Sequence, residues 1–285
     1  MKVVTSVSDM INLSHTFRSA GKKIALVPTM GALHKGHLSL LEKARECADI
    51  SVMSVFVNPT QFGQGEDFEM YPRPFENDRI KAEENGCDVL FNPTAEQMYP
   101  DNHKTVVSVK DITNKLCGIS RPTHFDGVTT IVLKLLNIVF PHYAIFGAKD
   151  AQQVIVIKRM LADLHHPTEI IVGPIIREND GLAISSRNVY LTEKERTEAA
   201  LLSRSLQQVR DLHENGERDT VHLGKSIMKM LHSSELINLE YAEIVDCTTL
   251  EPMVTITGKV LVAIACRMKK SNTRLIDNTV LGGTL

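Results

Sequence analysis

The stretch KIALVPTMGALHKGHLSLLEKARECADISVMSVFV, residues 23–57, decides the fold. Residues 24–27 are apolar and predict a strand, residues 37–48 repeat apolar positions at helical spacing, and residues 50–57 predict a second buried strand. Strand, helix and strand in this order form a β-α-β unit, whose two strands run parallel. The stretch therefore predicts the parallel sheet of an α/β protein.

The same alternation continues along the chain to about residue 176. Repetition of this kind predicts a mostly parallel sheet with helices on both faces, in which ligands bind at the carboxyl ends of the strands. The predicted elements are helices at 75–85, 129–138 and 150–164 and strands at 88–91, 143–146 and 169–176.

The pattern changes beyond residue 176. A long charged helix is predicted at 192–213, where Thr192 and Glu195 have the spacing of a capping box. Helices followed by strands indicate a small α+β domain, so we predict two domains, 1–176 and 177–285. The remaining predicted elements are a helix at 223–231 and strands at 239–245 and 259–265.

Composition argues against several classes of protein. The 285 residues carry 32 basic and 34 acidic side chains, a formal net charge of −2, and no Trp, which is unlike a dedicated nucleic-acid binder. The five cysteines form no C-x-x-C pair, and no apolar run approaches the roughly 20 residues of a membrane span. We expect a cytoplasmic protein that is neither exported nor inserted in a membrane.

Two histidines lie in the turn that follows the first predicted strand. His34 and His37 flank Gly36, and His37 falls where the helix should begin. A helix N-terminus offers free amides and a positive dipole to phosphate, and a glycine lets backbone approach closely. The two imidazoles can donate hydrogen bonds to a reacting α-phosphate. Surface histidines or a weak metal site are the alternative interpretations of this pair.

Two further segments also follow predicted strands. Residues 181–188, GLAISSRN, offer serine hydroxyls and the guanidinium fork of Arg187 to phosphate, although the same string suits an ordinary loop or helix cap. In residues 146–153, FGAKDAQQ, Lys149 can meet phosphate, and Asp150 can cap a helix or hold magnesium or a ribose hydroxyl. A capped helix with solvated charges is the alternative there.

Residues 56–62, FVNPTQF, leave the second predicted strand at the same edge of the sheet. The amides of Asn58 and Gln61 both donate and accept hydrogen bonds, which suits a small hydroxylated carboxylate better than phosphate. Without its context, the string would be interpreted as a turn built around Pro59.

Together these segments resemble known families. The HxGH pattern resembles the signature of the nucleotidylyltransferase and class I aminoacyl-tRNA synthetase group, which builds adenylates or nucleotidyl esters on a Rossmann-like sheet. The blocks PTMGALHKGH, FVNPTQF, YPR, GISRPTHFDGV, FGAKDAQQ and DGLAISSRN, over about residues 24–190, resemble the pantothenate synthetase family in order and spacing. Ala148 stands where that family commonly has glutamate, and Ala151 where a bulky residue is frequent, which puts any role of the missing carboxylate in doubt.

The resemblance implies an AMP-forming ligase. Pantoate and ATP would form a pantoyl adenylate, and β-alanine would then convert it into pantothenate and AMP. The Rossmann-like domain 1–176 would bind ATP and pantoate, and the domain 177–285 would act as a lid. Magnesium would arrive with ATP rather than occupy a protein cage. A homodimer is also expected from the family likeness.

The resemblance also implies roles for individual residues. His34 and His37 would contact the phosphates, with His37 as the proton donor to pyrophosphate. Gln61 would bind pantoate and β-alanine, and Gln153 would bind pantoate, with Asn58 as a further substrate contact. The predicted ATP contacts are Met30, His34, Gly36, His37, Gly147, Ala148, Lys149, Asp150, Ile176, Ile184, Ser185, Ser186 and Arg187.

Several alternatives stay open. A nucleotidylyltransferase that acts on another small acceptor would share the histidine motif and the Ser-Arg loop, and a nucleotide sensor would bind ATP without turnover. A tRNA synthetase is disfavoured, because no basic anticodon-binding extension is visible. Arg121 and His124 could form a second phosphate contact or a structural hydrogen-bond pair.

Overall fold

Six parallel strands form one sheet in the structure, a computed structural model that describes residues Met1–Leu285. The strand order is β1-β4-β3-β2-β5-β6, so the two strands of the β-α-β unit, β2 and β3, lie side by side. The predicted parallel sheet is confirmed. The strands are β1 (Lys2–Val4), β2 (Ile24–Thr29), β3 (Ile50–Val55), β4 (Val89–Phe91), β5 (Tyr143–Gly147) and β6 (Glu169–Gly173).

Helices flank both faces of this sheet. In β2, Ile24, Ala25, Leu26 and Val27 are each 0% exposed. Because successive side chains of a strand point to opposite faces, both faces must be covered. The helices of this part are α1 (Val7–Ser19), α2 (Lys35–Cys47), α3 (Phe75–Glu84), α4 (Ala95–Met98), α5 (Cys117–Ser120), α6 (His124–Val139) and α7 (Ala151–Asp163).

A separate antiparallel sheet lies near the C-terminus. Its order is β7-β8-β9, and two helices share its apolar core. The long helix opens with the predicted capping box between Thr192 and Glu195. The predicted α+β part is therefore confirmed. Its elements are α8 (Glu193–Glu214), α9 (Thr220–Leu231), β7 (Ile237–Asp246), β8 (Val260–Met268) and β9 (Arg274–Leu281).

Five helices and strands were not predicted, namely β1, α1, α4, α5 and β9. Strand β1 has three residues, of which only Val4 is buried, so it carries no detectable period. Strand β9 holds the buried polar residues Asp277 and Asn278, which interrupt an apolar run. The predicted strand at 169–176 was too long, since β6 ends at Gly173.

The chain divides into two compact units. The first comprises Met1–Asn114, Gly118–Gly147 and Val156–Pro174. The second comprises Lys115–Cys117, Ala148–Ile155 and Ile175–Leu285, so it takes two short segments from the middle of the chain. The domain ranges 1–176 and 177–285 stay a prediction. No helix is both long and apolar enough to span a bilayer.

Candidate active site

The turn after β2 has an unusual backbone. Gly31 has a φ of +84° and Ala32 a φ of +50°, both in the left-handed region. A Cβ atom on Gly31 would lie 2.9 Å from Oδ2 of Asp78, so both the conformation and the space require glycine. The hydroxyl of Thr29 accepts a hydrogen bond from the N–H of Gly31 at 3.2 Å and donates to the carbonyl of Ser54 at 2.7 Å. The turn is thus tied to β3.

A buried carboxylate on α3 holds the same turn. Asp78 is 1% exposed, and its two oxygens accept hydrogen bonds from the N–H groups of Ala32 at 2.8 Å and Leu33 at 2.7 Å. Burial raises the pKa of the Asp78 carboxyl, against the opposing effect of these two donors. The ammonium of Lys81 donates to the carbonyl of Leu33 at 2.7 Å. Sequence reasoning missed both residues, because α3 is rich in charged side chains and nothing distinguishes Asp78 from its acidic neighbour Glu76.

The structure brings His34 and His37 together at the start of α2. The two rings stack with centroids 3.9 Å apart and planes inclined by 21°. His34 is the residue before the first helical residue, and its backbone N–H donates to Nδ1 of His37 at 3.4 Å. A neutral imidazole that accepts at Nδ1 carries its proton on Nε2. His37 therefore has a proton to donate at Nε2.

Gly36 has a role that the sequence did not reveal. A Cβ atom at this position would lie 3.0 Å from Nδ1 and 3.0 Å from Cε1 of the His34 ring. Such a contact is tighter than ordinary van der Waals contact, so a side chain would displace the imidazole. Glycine here makes room for the stacked histidine, independently of any approach to phosphate.

The amide of Asn58 orients Gln61. Asn58 is 1% exposed, and its Nδ2 donates to Oε1 of Gln61 and to the carbonyl of Gly127, each at 3.1 Å. Its Oδ1 accepts from the hydroxyls of Tyr99 at 2.8 Å and Thr60 at 3.0 Å. These bonds engage both ends of the amide, so Asn58 positions Gln61, and its substrate contact stays a prediction.

Gln61 is directed towards the histidine turn. Its Nε2 lies 3.2 Å from Sδ of Met30, so two predicted site residues meet in the first unit. Tyr99, which fixes Asn58, is itself held: the ammonium of Lys134 lies 4.5 Å from its ring centroid and donates to the carbonyl of Met98. No local pattern could have identified Tyr99 or Lys134, since both act through residues far away in sequence.

Arg121 and His124 form a structural hydrogen-bond pair. Arg121 donates from Nε and Nη2 to the two carboxylate oxygens of Glu66, at 2.6 Å each, and from Nη2 to the carbonyl of Gln61 at 3.2 Å. His124 donates from Nδ1 to the same carbonyl at 2.8 Å, which leaves Nε2 to accept from Arg121 at 3.2 Å. Burial raises the pKa of Glu66, but the guanidinium outweighs it and holds the pKa below its usual value. The structural alternative for this pair is therefore favoured.

In the second unit, a hairpin carries the Ser-Ser-Arg segment. The N–H of Ile184 donates to the carbonyl of Ile176 at 2.9 Å, which brings these two predicted ATP contacts together. Ser185 then caps a short 3₁₀ helix, Ser186–Tyr190, and its hydroxyl accepts from the N–H of Arg187 at 3.3 Å. The capping interpretation of this string is correct, and it also fixes where the Arg187 side chain starts.

The segment FGAKDAQQ forms a 3₁₀ turn, Ala148–Asp150, that runs into α7. Lys149 and Gln153 are partly exposed and Asp150 is exposed, whereas Gln152 is buried. The Gln152 amide accepts from the N–H of Cys117 at 3.0 Å and donates to the carbonyl of Lys115 at 2.7 Å. Neighbouring glutamines therefore have different tasks: Gln152 is structural, and Gln153 remains available to a ligand.

The predicted site residues are divided between the two units. No group of three or more His, Cys, Asp or Glu side chains is arranged to hold a metal ion. The first unit contains Met30, His34, Gly36, His37, Asn58, Gln61 and Gly147, and the second contains Ala148, Lys149, Asp150, Gln153, Ile176, Ile184, Ser185, Ser186 and Arg187.

Comparisons with known proteins agree on one family. The model of the pantoate-beta-alanine ligase family matches residues 2–280. The pantothenate synthetases of Acetivibrio thermocellus and Geobacter sulfurreducens are each 52% identical to the chain, over 281 and 282 residues, and each alignment covers 99% of both proteins.

Solved structures give the same result. The crystal structure of pantothenate synthetase from Thermus thermophilus superposes with a TM-score of 0.91 at 40% identity, covering 98% of this chain and 99% of that one. Pantoate-beta-alanine ligase from Francisella tularensis, crystallised with beta-gamma ATP and β-alanine, gives 0.79 at 33% identity, covering 98% and 97%. The chain therefore belongs to the pantoate–β-alanine ligase family.

Proposed function

We propose that the chain condenses pantoate with β-alanine at the expense of ATP, and that it forms pantothenate, AMP and pyrophosphate through a pantoyl adenylate. Family membership over nearly the whole chain supports the overall reaction. The Francisella relative, crystallised with beta-gamma ATP and β-alanine, supports these two substrates. At the level of residues, the proposal is carried by the stacked imidazoles of His34 and His37 at the N-terminus of α2.

In the first half-reaction, a pantoate carboxylate oxygen attacks the α-phosphorus of ATP. The bond from this phosphorus to the oxygen that bridges to the β-phosphate breaks, and pyrophosphate leaves. Negative charge grows on the leaving group, where the positive end of α2 and the imidazole N–H groups stabilise it. His37 donates its Nε2 proton to pyrophosphate, which fits the acceptor role of its Nδ1. Met30 and Gly36 line the nucleotide by their main chain.

Two glutamines hold pantoate in this proposal. The amide of Asn58, which is hydrogen-bonded at both ends, orients Gln61, and Gln61 presents its Nε2 as a donor. Gln153 lies in the first turn of α7 and is partly exposed. A carboxamide both donates and accepts, so it suits the hydroxyls and the carboxylate of pantoate. Gln61 also contacts β-alanine.

The second unit supplies charge to the nucleotide. Lys149 balances phosphate charge, Asp150 holds the ribose or the metal ion, and Arg187 offers its planar fork of donors to phosphate. The 3₁₀ cap at Ser185 fixes the backbone from which Arg187 extends. The further proposed ATP contacts are Gly147, Ala148, Ile176, Ile184 and Ser186.

In the second half-reaction, the amine of β-alanine attacks the acyl carbon of pantoyl adenylate. The bond from this carbon to the phosphate oxygen breaks, AMP leaves, and the new amide nitrogen loses its proton. Adenylation activates the carboxylate because AMP is a far better leaving group than hydroxide, which separates one difficult step into two easier ones.

Magnesium fits the site as an ion that ATP carries. The chain has no cluster of His, Cys, Asp and Glu side chains that would cage a metal, while the exposed carboxylate of Asp150 offers one oxygen ligand. When bound, the ion neutralises charge on the phosphates. Asp150 would hold it from the side of the turn.

Pantoate-dependent exchange of labelled pyrophosphate into ATP tests the proposal. Adenylation is reversible, so the label should enter ATP when pantoate is present and β-alanine is absent. A nucleotidylyltransferase that uses another acceptor shows no exchange with pantoate, and a nucleotide sensor shows none with any acid. Steady AMP release should then require both co-substrates.

We also propose a homodimer and a cytoplasmic location, both from family membership. Size-exclusion chromatography with light scattering at micromolar concentration should report about twice the chain mass of 31.7 kDa. A mass of a single chain under these conditions contradicts the dimer.

A further inference from the structure

Strand β9 carries two consecutive buried polar residues. Asp277 is 2% exposed and Asn278 is 5% exposed, and both belong to the second unit. Burying a carboxylate is costly unless it is fully hydrogen-bonded, and apolar residues of similar volume often stabilise a fold equally well. Their presence in the middle of a strand therefore calls for a specific contact.

Asn278 binds the 3₁₀ turn that precedes α7. Its Nδ2 donates to the carbonyl of Ala148 at 2.9 Å and to the carbonyl of Lys149 at 2.8 Å. One carboxamide thus holds two successive peptide groups. One of them belongs to Lys149, whose ammonium is proposed to contact phosphate. A displacement of this turn would move the Cα atom of Lys149 directly.

Asp277 binds the hairpin that leads to Ser185. Its two oxygens accept from Nη1 and Nη2 of Arg177 at 2.6 and 2.9 Å, a bidentate pair. Nη1 of Arg177 also donates to the carbonyl of Gly181 at 3.0 Å, at the tip of the hairpin. Oδ1 of Asp277 in addition accepts the backbone N–H of Asn278 at 2.8 Å, so the two residues form one unit.

We propose that Asp277 and Asn278 are positioning residues that fix Lys149 relative to Ser185 and Arg187. The two segments are far apart in sequence, and β9 is the element that binds both. The pair makes them a single rigid part of the second unit, so that the entropy of aligning them is lost on folding rather than on binding ATP. This inference rests on the proposed function, since it needs both segments to contact the nucleotide.

Variants of Asn278 test this proposal. Asn278→Ala removes the donor, and Asn278→Asp replaces it with an acceptor that faces two carbonyls beside the Asp277 carboxylate. We expect kcat/KM for ATP in pantoate-dependent pyrophosphate exchange to fall about 10- to 100-fold, more in Asn278→Asp than in Asn278→Ala. The KM for β-alanine should stay within about two-fold, because this amine reacts after pyrophosphate has left. Asn238→Ala, on the exposed side of β7, is the matched control and should leave both parameters unchanged.

The outcomes separate this inference from the proposed function. If the wild-type protein shows no pantoate-dependent exchange, the proposed function fails. If the wild type is active and the Asn278 variants lower kcat/KM for ATP and for β-alanine by the same factor, or leave kcat/KM for ATP unchanged, Asn278 is only structural and the inference is overturned. Asn278→Ser keeps one hydrogen-bond donor and should lose less of kcat/KM for ATP than Asn278→Ala. It serves the same test if the other two variants do not fold.

Discussion

Two strand-to-helix turns, one after β2 and one after β5, are held by opposite chemistry. The first is bound through its N–H groups, which donate to the carboxylate of Asp78. The second is bound through its carbonyls, which accept from the carboxamide of Asn278. In each case one side chain makes two bonds to successive peptide groups.

The difference follows from the backbone of each turn. Left-handed residues at Gly31 and Ala32 aim the next N–H groups at α3, so these groups are not available to an anion. In our proposal, contact with phosphate in the first turn therefore falls to the imidazoles and to the first-turn amides of α2. In the second turn the carbonyls are bound, and Lys149 is the group that we propose to meet phosphate. The two turns therefore offer different kinds of donor to phosphate in our proposal.

Among substitutions of the residues that position the first turn, Asp78→Asn should have the largest effect on activity. The carboxylate accepts one N–H group at each of its two oxygens. A carboxamide has only one oxygen, and its NH₂ group would face the second N–H group. That buried donor would be left unsatisfied at a cost of about 1–3 kcal/mol of stability. The histidine pair follows this turn, and displacement of catalytic groups by about 1 Å costs roughly 100-fold in rate. We expect pyrophosphate exchange to fall by this factor. Glu76→Gln, on the exposed face of the same helix, is the control. If Asp78→Asn and Glu76→Gln have the same exchange rate, the role of Asp78 is contradicted.

Gly36→Ala should have a smaller effect on the same turn. The new methyl group lies 3.0 Å from the His34 ring, which must rotate away from His37, so we expect kcat to fall about ten-fold. Gly224→Ala is a matched control in α9, where an added Cβ meets nothing within 4 Å. That variant should keep full activity and gain about 0.5–1 kcal/mol of stability. If the two variants are equally active in a steady-state assay, Gly36 is not needed to make room for the His34 ring that stacks on His37.

Glu195→Gln separates stability from activity in the comparison of the two turns. The Glu195 carboxylate also accepts from two backbone N–H groups, but it lies in neither turn. It is 0% exposed and accepts from the N–H groups of Lys270 at 2.8 Å and Ser271 at 2.9 Å. Burial raises its pKa, but hydrogen bonds from Ser271, Thr192 and Lys270 prevail and lower the pKa to about 2. Kinetic parameters should be unaffected by the substitution, while stability at neutral pH should fall by about 1–3 kcal/mol.

The sign of the pH dependence follows from the lowered pKa. A carboxyl whose pKa is lower in the folded than in the unfolded chain stabilises the fold above its unfolded value of 4.5, and this contribution is lost as the pH falls towards 2. Urea unfolding at pH 6.5 and pH 3.5 should therefore show a smaller difference between wild type and Glu195→Gln at the lower pH. A difference that is constant with pH would show that Glu195 does not titrate in this way.

The sequence predicted what is local. Apolar runs and turns identified most strands of the parallel sheet, the helix that follows the histidines and the capping box at Thr192, because each of these elements depends on neighbours within a few residues. It missed Asp78, Tyr99 and Asn278, which act on segments 41 to 130 residues away. A single sequence carries no signal for such pairs.

The assignment of the glutamines shows the same limit. Gln152 and Gln153 are adjacent and chemically identical, and only the fold shows that Gln152 is occupied by residues 115 and 117. Asn58 was predicted as a substrate contact because of its residue type, and only the fold shows that its amide is bonded to Tyr99, Thr60 and Gly127. Residue type predicts what a side chain can bond to, and burial determines what it does bond to.

The half-reactions of His37→Ala test the central claim most directly, namely that the turn after β2 performs the phosphate chemistry. Pantoate-dependent pyrophosphate exchange should fall about 1000-fold or more, because both the proton donor and a stabilising charge are lost. Conversion of supplied pantoyl adenylate and β-alanine into pantothenate should stay within about three-fold of the wild-type rate, since no pyrophosphate leaves in that step. Equal losses in both half-reactions, or an unchanged exchange rate, would contradict the account.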